Sequence, residues 1–183
     1  HFNLIKEVQM LYEVNSEILD ASREVYHEED EFPTKEAVEC YRLPESHKLL
    51  VKLTLHLADI SNSMKPFRIS RIWAWQVLEE FFLQGDMERR LGVPVQALHD
   101  REKVNRSFSQ LGFIEFLVSP LLYSVVKVLP PMQKMADLML ANMKTWHNSW
   151  LTDTKLPPTD AEKKALADRI TKLEQKYTDM CVA

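Results

Sequence analysis

The sequence predicts an all-α fold with a packed core, and three observations carry this prediction. Only three glycines, Gly85, Gly92 and Gly112, occur among 183 residues. This scarcity favours helices and excludes a glycine-rich phosphate loop or a Rossmann fingerprint. Apolar side chains recur every three or four residues along several segments, as they do on the buried face of a helix. Hydrophobic residues make up 45% of the sequence, enough for the core of one domain or of part of a larger one.

The first half of the chain contains three predicted helices and one connector. An apolar stripe predicts a single helix over about 2–26, and its residues are Leu4, Val8, Leu11 and Ile18. The acidic stretch "HEEDEFPTKE" reads as a solvated connector broken by Pro33. Leucines on every side of 46–58 predict a helix that is buried all round. A third helix should cover about 68–91 and end before Gly92 and Pro94.

The second half continues with three more apolar segments. Residues 107–118 are helical and very apolar in pattern, and Pro120 should kink or break that helix. A further helix carries a stripe that we interpret as core filling, made of Met132, Met135, Met139, Met143, Trp146 and Trp150. The last helix follows Thr159 and Glu162, which have capping-box spacing. Its stripe packs on the domain or on another chain, and consists of Leu166, Ile170, Leu173, Tyr177 and Met180.

Composition limits the classes of partner. The net charge of -4 and the pI near 5.9 give no electrostatic reason to expect nucleic acid. No apolar run approaches the roughly 18 residues of a membrane span. Cys40 and Cys181 form neither a disulfide framework nor a zinc motif, so we expect a reducing compartment, the cytoplasm. The chain starts at His1 inside an amphipathic pattern, which suggests a fragment whose missing regions could tether it to a membrane.

The stretch "LHLADISNSMKP" ends an apolar helix on a carboxylate, that of Asp59. Burying a carboxylate costs free energy unless a positive group meets it, so either a lysine or arginine or a metal ion should lie beside Asp59. His56 precedes it by three residues and shares its helix face. This spacing alone is common, and no second cluster of His, Cys or carboxylate residues supplies the further ligands that zinc requires.

Gln110 lies in the apolar stretch "SFSQLGFIEF", and Phe113 follows three residues later on the same helix face. A buried glutamine amide needs hydrogen-bond partners. An amide beside an aromatic ring could hold a nucleobase by its edge and its face, but on spacing alone core packing is the simpler interpretation. Four carboxylates of the preceding helix are interpreted as surface or ion-pair groups more readily than as acid–base catalysts. They are Glu79, Glu80, Asp86 and Glu88, with Arg71, Arg89 and Arg90 as candidate partners.

Taken together and in order, "HLADISN", "EEFFLQGDMERRLG", "HDR" and "SQLGFIEF" resemble the class I 3′,5′-cyclic nucleotide phosphodiesterases. The resemblance covers the second half of their catalytic domain, from about His1 to Trp150, with a C-terminal helix over 158–183. It implies an all-α domain with a two-metal pocket that hydrolyses cAMP or cGMP to the 5′-monophosphate. Residues 1–183 would then be the C-terminal portion of one catalytic domain, and the N-terminal portion its partner. A second copy of the chain is another candidate partner.

The resemblance assigns roles to six positions. Asp59 matches an aspartate that binds the tightly held metal ion of the family, usually zinc. A second ion, usually magnesium (or manganese), lies beside it. Gln110 matches the glutamine that bonds the base, and Phe113 the aromatic that stacks on it. Val77 matches the aliphatic residue on the other side of the base, and Asn62 a position near the purine edge in several members. Leu98 would line the pocket from the loop before "HDR". Glu80 and Asp86 match the family signature as structural residues, and His56 matches a position that is not a ligand.

The upstream motifs of the family are missing from the chain. They supply two histidines and another aspartate for the metals, and a histidine that protonates the leaving oxygen, so we expect no catalytic acid here and no activity from the segment alone. Ser63 stands where many members have proline, and the connector over 27–45 looks longer. Two alternatives remain: a helical interaction module, or a catalytically incomplete protein that binds a nucleotide without cleaving it. The preference between cAMP and cGMP stays open.

Overall fold

The computed structural model describes residues 1–153 and 155–182, and every regular element in these ranges is helical, as predicted. The α-helices are α1 (Phe2–Val14), α2 (Ser16–Glu29), α3 (Lys35–Arg42), α4 (Pro44–Asp59), α5 (Phe67–Arg90), α6 (Arg106–Phe113), α7 (Ser119–Val128), α8 (Gln133–Leu151) and α9 (Asp160–Val182). Short 3₁₀ turns lie at Ser61–Met64, Ala97–His99 and Pro130–Met132. A π-helical segment, Ile114–Val118, joins α6 to α7 without a break.

Helix α7 forms the centre of the core, since it packs against α1, α2, α8 and α9. Contrary to the sequence analysis, the continuous helix of 23 residues from Arg106 to Val128 is long and apolar enough to cross a membrane. Most of it, however, is buried inside the fold. We therefore interpret it as a core helix, in which burial rather than lipid accounts for the apolar composition.

The stripe of methionines and tryptophans on α8 fills the core, as predicted. Met139, Met143 and Trp146 are almost fully buried. The indole of Trp146 lies between two aromatic side chains, edge-on to Phe67 with centroids 4.9 Å apart and stacked on Trp75 at 5.4 Å. Such pairs add stability beyond the burial of their area. These residues are therefore not an exposed groove for a partner helix.

Two predictions for the N-terminal region are wrong. The single helix over 2–26 is divided at Asn15, whose φ of −121° and ψ of 22° lie outside the α-helical region. Its side-chain amide donates to the Leu11 carbonyl at 2.9 Å, a local bond that competes with helix propagation. Part of the connector also forms a helix, α3. Thr34 caps it by accepting from the Ala37 amide at 3.4 Å, a start signal typical of helices.

Helix α4 forms as predicted but is not buried all round. Leu53 and Leu57 face the core, whereas Val51 is 58% exposed and Leu55 is 74% exposed. Its neighbours are α1, α3 and the turn that follows it, so one side has no helix against it among the described residues. Asp59, at its end, is also exposed, which contradicts the predicted burial of this carboxylate.

The remaining predictions concern the two ends of the C-terminal half. Pro120 does not break its helix, which continues from Arg106 to Val128. It directly follows the π segment, whose last backbone bond runs from the Ser119 amide to the Ile114 carbonyl, and the Glu115 carbonyl accepts from the Ser119 hydroxyl at 3.0 Å. The capping box is present: the Thr159 amide donates to Glu162 at 2.8 Å, and the Glu162 amide donates to Thr159 at 3.3 Å. Helix α9 packs on the domain through buried Leu166 and Ile170. The side chains of Met180 and Cys181 lie outside the described part.

Candidate active site

One cavity of about 1110 Å³ lies between the end of α4, one face of α5, α6 and the π segment. All six residues predicted to form the site line it: Asp59, Asn62, Val77, Leu98, Gln110 and Phe113. Sequence reasoning missed several other lining residues, mostly aromatic: Lys65, Trp73, Phe81, Phe108 and Phe116. Asp59 and Lys65 carry the charges of this lining. The cavity is thus largely apolar, with a few polar groups in its lining, as is usual for ligand sites.

Asp59 reaches the cavity because α4 ends there and a 3₁₀ turn follows directly, carrying Asn62. His56 does not join Asp59 in a metal site. Its Nε2 instead lies 2.8 Å from Nδ1 of His1, whose Nε2 contacts the Leu117 carbonyl at 3.0 Å. The pairing of His56 with Asp59, considered from the sequence spacing, is therefore not a feature of this site.

The turn that carries Asn62 is held by a buried amide from α8. The side-chain NH₂ of Asn142 donates to the carbonyls of Ser63 and Lys65, both at 2.7 Å. Asn142 is 2% exposed, so its two hydrogen bonds are shielded from water. Nothing in the sequence pattern marked Asn142, because a polar residue within a helical stripe more often faces solvent.

Replacing Asn142 by alanine is expected to destabilise the fold by about 1–3 kcal/mol, because buried carbonyls lose their donor. Thermal or denaturant unfolding measures the change. Asn148→Ala, at an exposed position of the same helix, is the matched control and should change stability by no more than about 0.5 kcal/mol. Equal stabilities of the two variants would show that Asn142 does not hold the turn.

Gln110 and Phe113 lie one helical turn apart on α6, as their spacing predicts. Gln110 is 6% exposed, and no protein group among the described residues is hydrogen-bonded to its side-chain amide. Phe113 is half-buried and also lines the cavity. A second wall comes from α5, where Trp73, Val77 and Phe81 follow one another at steps of four residues and so share a face.

Leu98 is positioned by a close approach between its loop and α5. A Cβ atom added at Gly85 would lie 2.1 Å from the His99 carbonyl oxygen, so only glycine fits here without displacing the loop. The loop is also tied to Glu88, which accepts from the Gln96 amide at 3.1 Å and lies 3.0 Å from Nδ1 of His99. The hydrogen bond from the Gln96 amide stabilises the charged carboxylate and is the main reason that the pKa of Glu88 is lowered.

Two other carboxylates of α5, Glu79 and Asp86, pair mainly with arginines that follow this helix in the chain. These are not the arginines predicted from the sequence. Glu79 accepts hydrogen bonds from Arg106 at 2.9 Å and from Arg101 at 3.0 Å. Both bonds lower the pKa of Glu79, and the bond from Arg106 has the larger effect. Asp86 accepts from Arg101 at 2.7 Å, with Arg89 more distant at 3.5 Å. The bond from Arg101 is likewise the main cause that lowers the pKa of Asp86. These ion pairs join the loop to α5 and leave little capacity for acid–base catalysis.

Comparison with known proteins identifies the family to which a chain with this fold and cavity belongs. A model of the 3'5'-cyclic nucleotide phosphodiesterase family matches residues 1–139. The chain belongs to this family. The match includes α1 to α7, the start of α8 and every residue named above as lining the cavity.

Individual phosphodiesterases agree with this assignment. The chain is 37% identical over 91 residues to the human high affinity cGMP-specific 3',5'-cyclic phosphodiesterase 9A, which is 49% of this chain and 15% of the relative. It is 35% identical over 105 residues to the cGMP-specific 3',5'-cGMP phosphodiesterase 3 of Dictyostelium discoideum, covering 57% of the chain and 22% of the relative. The solved structure of LmjPDEB1 in complex with IBMX superposes with a TM-score of 0.56 at 30% identity, covering 75% of this chain and 39% of that one. The chain thus spans well under half of these phosphodiesterases.

The described residues of the chain do not form a complete metal site by themselves. In residues 1–153 and 155–182, no group of three or more His, Cys, Asp or Glu side chains could hold a metal ion. Asp59 fits the role of a single ligand, because its carboxylate is exposed at the cavity wall and oxygen ligands suit divalent cations. A site of usual coordination number would therefore need ligands from outside these residues.

Proposed function

We propose that this chain supplies the base-binding part of an active site that hydrolyses 3′,5′-cyclic nucleotides to 5′-monophosphates. The observation that carries the proposal is the convergence of Gln110, Phe113 and Asp59 on one largely apolar cavity. Membership of the phosphodiesterase family supports the reaction class. The relatives' longer chains support a catalytic domain that includes segments other than these 183 residues.

Each residue has a distinct role in this proposal. The Gln110 amide, which has both a donor and an acceptor, bonds the edge of the purine, while the Phe113 ring stacks on its face. Val77, from α5, contacts the purine as well, and Leu98 and Asn62 limit the space around the ligand. Aromatic stacking is worth about 1–3 kcal/mol per base in single-stranded nucleic acids. The apolar walls would exclude water and so strengthen the polar contacts.

We further propose that Asp59 is one ligand of a metal pair, zinc with magnesium or manganese, completed by residues outside this chain. When bound, such ions neutralise phosphate charge and lower the pKa of bound water. The contribution of this chain is to place a carboxylate in the cavity wall, at a fixed position relative to the base-binding residues. The hydrogen bonds from Asn142 to the following turn help to fix that position.

Among cyclic nucleotides, cGMP is the first substrate to test, since the human and Dictyostelium relatives named above are cGMP-specific. The cavity itself does not discriminate between purines, because a glutamine amide can face either guanine or adenine according to its rotation. Competition between cGMP and cAMP in one assay measures the preference directly.

Replacing Phe113 by alanine should raise KM for the preferred nucleotide by about 5- to 150-fold, the equivalent of 1–3 kcal/mol. Gln110→Ala should raise KM with a smaller effect on kcat, as expected when uniform binding is lost. Phe32→Ala and Gln76→Ala, at positions outside the cavity, are matched controls and should leave KM unchanged. A loss of kcat at constant KM in both cavity variants would instead assign Gln110 and Phe113 to the chemical step.

Assays of residues 1–183 alone, beside the same chain extended upstream, test the division of the active site. With zinc and magnesium supplied, the short chain should hydrolyse neither cAMP nor cGMP, because it contributes only one proposed metal ligand. The extended chain should hydrolyse at least one of them. Comparable rates from both would contradict the division, whereas nucleotide binding without hydrolysis by the extended chain would favour a binding protein.

A further inference from the structure

Helix α9 contacts the cavity wall through one ion pair. Arg169 donates to Glu115 with two nitrogens: Nε lies 2.9 Å from Oε1, and the terminal nitrogen contacts Oε2. The Glu115 side chain is 15% exposed and that of Arg169 is 36% exposed. A two-pronged pair of this kind fixes orientation as well as distance. Glu115 belongs to the π segment, so α9 holds that segment directly.

The same guanidinium also contacts an aromatic residue that lines the cavity. The Arg169 Cζ lies 5.4 Å from the centroid of the Phe116 ring, within the range of a cation–π interaction. Phe116 and Leu117 both line the cavity, and Phe113 immediately precedes the π segment. Arg169 therefore contacts both Glu115 of the π segment and a residue of the same segment that lines the cavity.

We propose that Arg169 is a positioning residue for the base-binding wall: through Glu115 and Phe116 it fixes the π segment and thereby the setting of Phe113. This inference rests on the proposed function. Arg169 lies beyond the residues that match the family model, 1–139. The assignment therefore extends the active-site support to a helix outside the matched region.

Attachment of α9 to the domain does not depend on Arg169. Leu166 and Ile170 are buried in the core, Tyr177 donates to Asp137 at 2.5 Å, and Lys144 pairs with Glu174 at 2.8 Å. These contacts anchor α9 to α8 and the core. Loss of the Arg169 side chain should accordingly leave α9 in place while freeing the π segment, whose hydrogen-bond pattern is rare and needs support from its surroundings.

The test compares Arg169→Met with Lys144→Met in the full-length protein. Both variants remove one ion pair of α9. Thermal unfolding should show the larger loss of stability for Arg169→Met, because it leaves the mostly buried Glu115 carboxylate without its partner. Only Arg169→Met should raise KM for the cyclic nucleotide, by about fivefold or more, with kcat within about twofold. Arg169→Lys should restore part of the affinity, and adding Glu115→Gln to Arg169→Met should have little further effect, because both changes remove the same pair.

Two outcomes separate failure of this inference from failure of the proposed function. If the wild-type protein hydrolyses cyclic nucleotides and Phe113→Ala raises KM, but Arg169→Met behaves like Lys144→Met, the role of Arg169 is wrong and the proposed function stands. If the wild-type protein neither binds nor hydrolyses cyclic nucleotides, both proposals are overturned. An equal loss of stability and of kcat without a KM effect would reduce Arg169 to a structural anchor.

Discussion

Replacing Asp59 by asparagine in the full-length protein is expected to abolish hydrolysis of cyclic nucleotides. The amide keeps the size of the side chain but removes the negative charge that suits a divalent cation. We expect kcat to fall by more than about a hundredfold. Mutating a residue that only hydrogen-bonds to a metal ligand commonly lowers metal affinity or activity by about 10- to 100-fold, and loss of a ligand itself should cost more. Elemental analysis of the purified variant should show a parallel loss of bound zinc.

The exposure of Asp59 makes this prediction specific. An exposed carboxylate at the end of a helix contributes little to folding, so the variant should unfold at nearly the wild-type temperature. Glu45→Gln, at the opposite end of α4, is the matched control and should retain activity and metal. A folded Asp59→Asn protein with full metal content and near-normal turnover would remove Asp59 from the metal site.

Replacing Gly85 by alanine should have the largest effect on stability, about 3 kcal/mol, the upper part of the range for overpacking. The added Cβ would meet the His99 carbonyl oxygen at 2.1 Å and its carbonyl carbon at 2.8 Å. These are backbone atoms, so relief requires the whole loop to move. Because Leu98 is adjacent to His99, the variant should also raise KM. Chemical denaturation measures the first effect and steady-state kinetics the second.

Gly112→Ala is the matched control for Gly85→Ala, because apart from its chain neighbours and the nearby backbone of its own helix no atom lies within 4 Å of the position its Cβ would take. In a helix interior such a change should stabilise by about 0.4–1 kcal/mol. Gly112 itself lines the cavity, so this control applies to stability and not to KM. If Gly85→Ala were as stable as Gly112→Ala, the loop would be free to shift and would not be fixed by this contact.

The sequence predicted the fold class and most helices because their signals are local. Long apolar periods define α4, α5 and α8, and the Thr159–Glu162 box marks the start of α9. Helix α3 was missed because its eight residues include only two that are buried, Ala37 and Cys40. The division at Asn15 was missed because apolar periodicity continues across it.

The candidate site residues were identified through an ordered set of motifs, and the structure places all six around one cavity. The environment of Asp59 was not predictable, because leucine content does not tell which side of a helix has neighbours. Likewise, Asn142 and Arg169 act through contacts with residues more than 50 positions away in the chain. Their partners depend on tertiary packing, and a single sequence without its fold contains no local signal for them.

The π segment changes how mutations along the 106–128 helix should be read. A π turn accommodates an extra residue compared with an α turn, and one residue corresponds to about 100° of rotation around the helix axis. The cavity end at Gln110 and the core end at Leu122 are thus not in phase on a single helical wheel. Deleting one residue from Ile114–Val118 would convert the segment to regular α-helix and leave the two ends facing nearly as they do now, because the π turn absorbs the extra residue. A one-residue alignment gap at this segment therefore keeps the same side chains pointing toward the ligand.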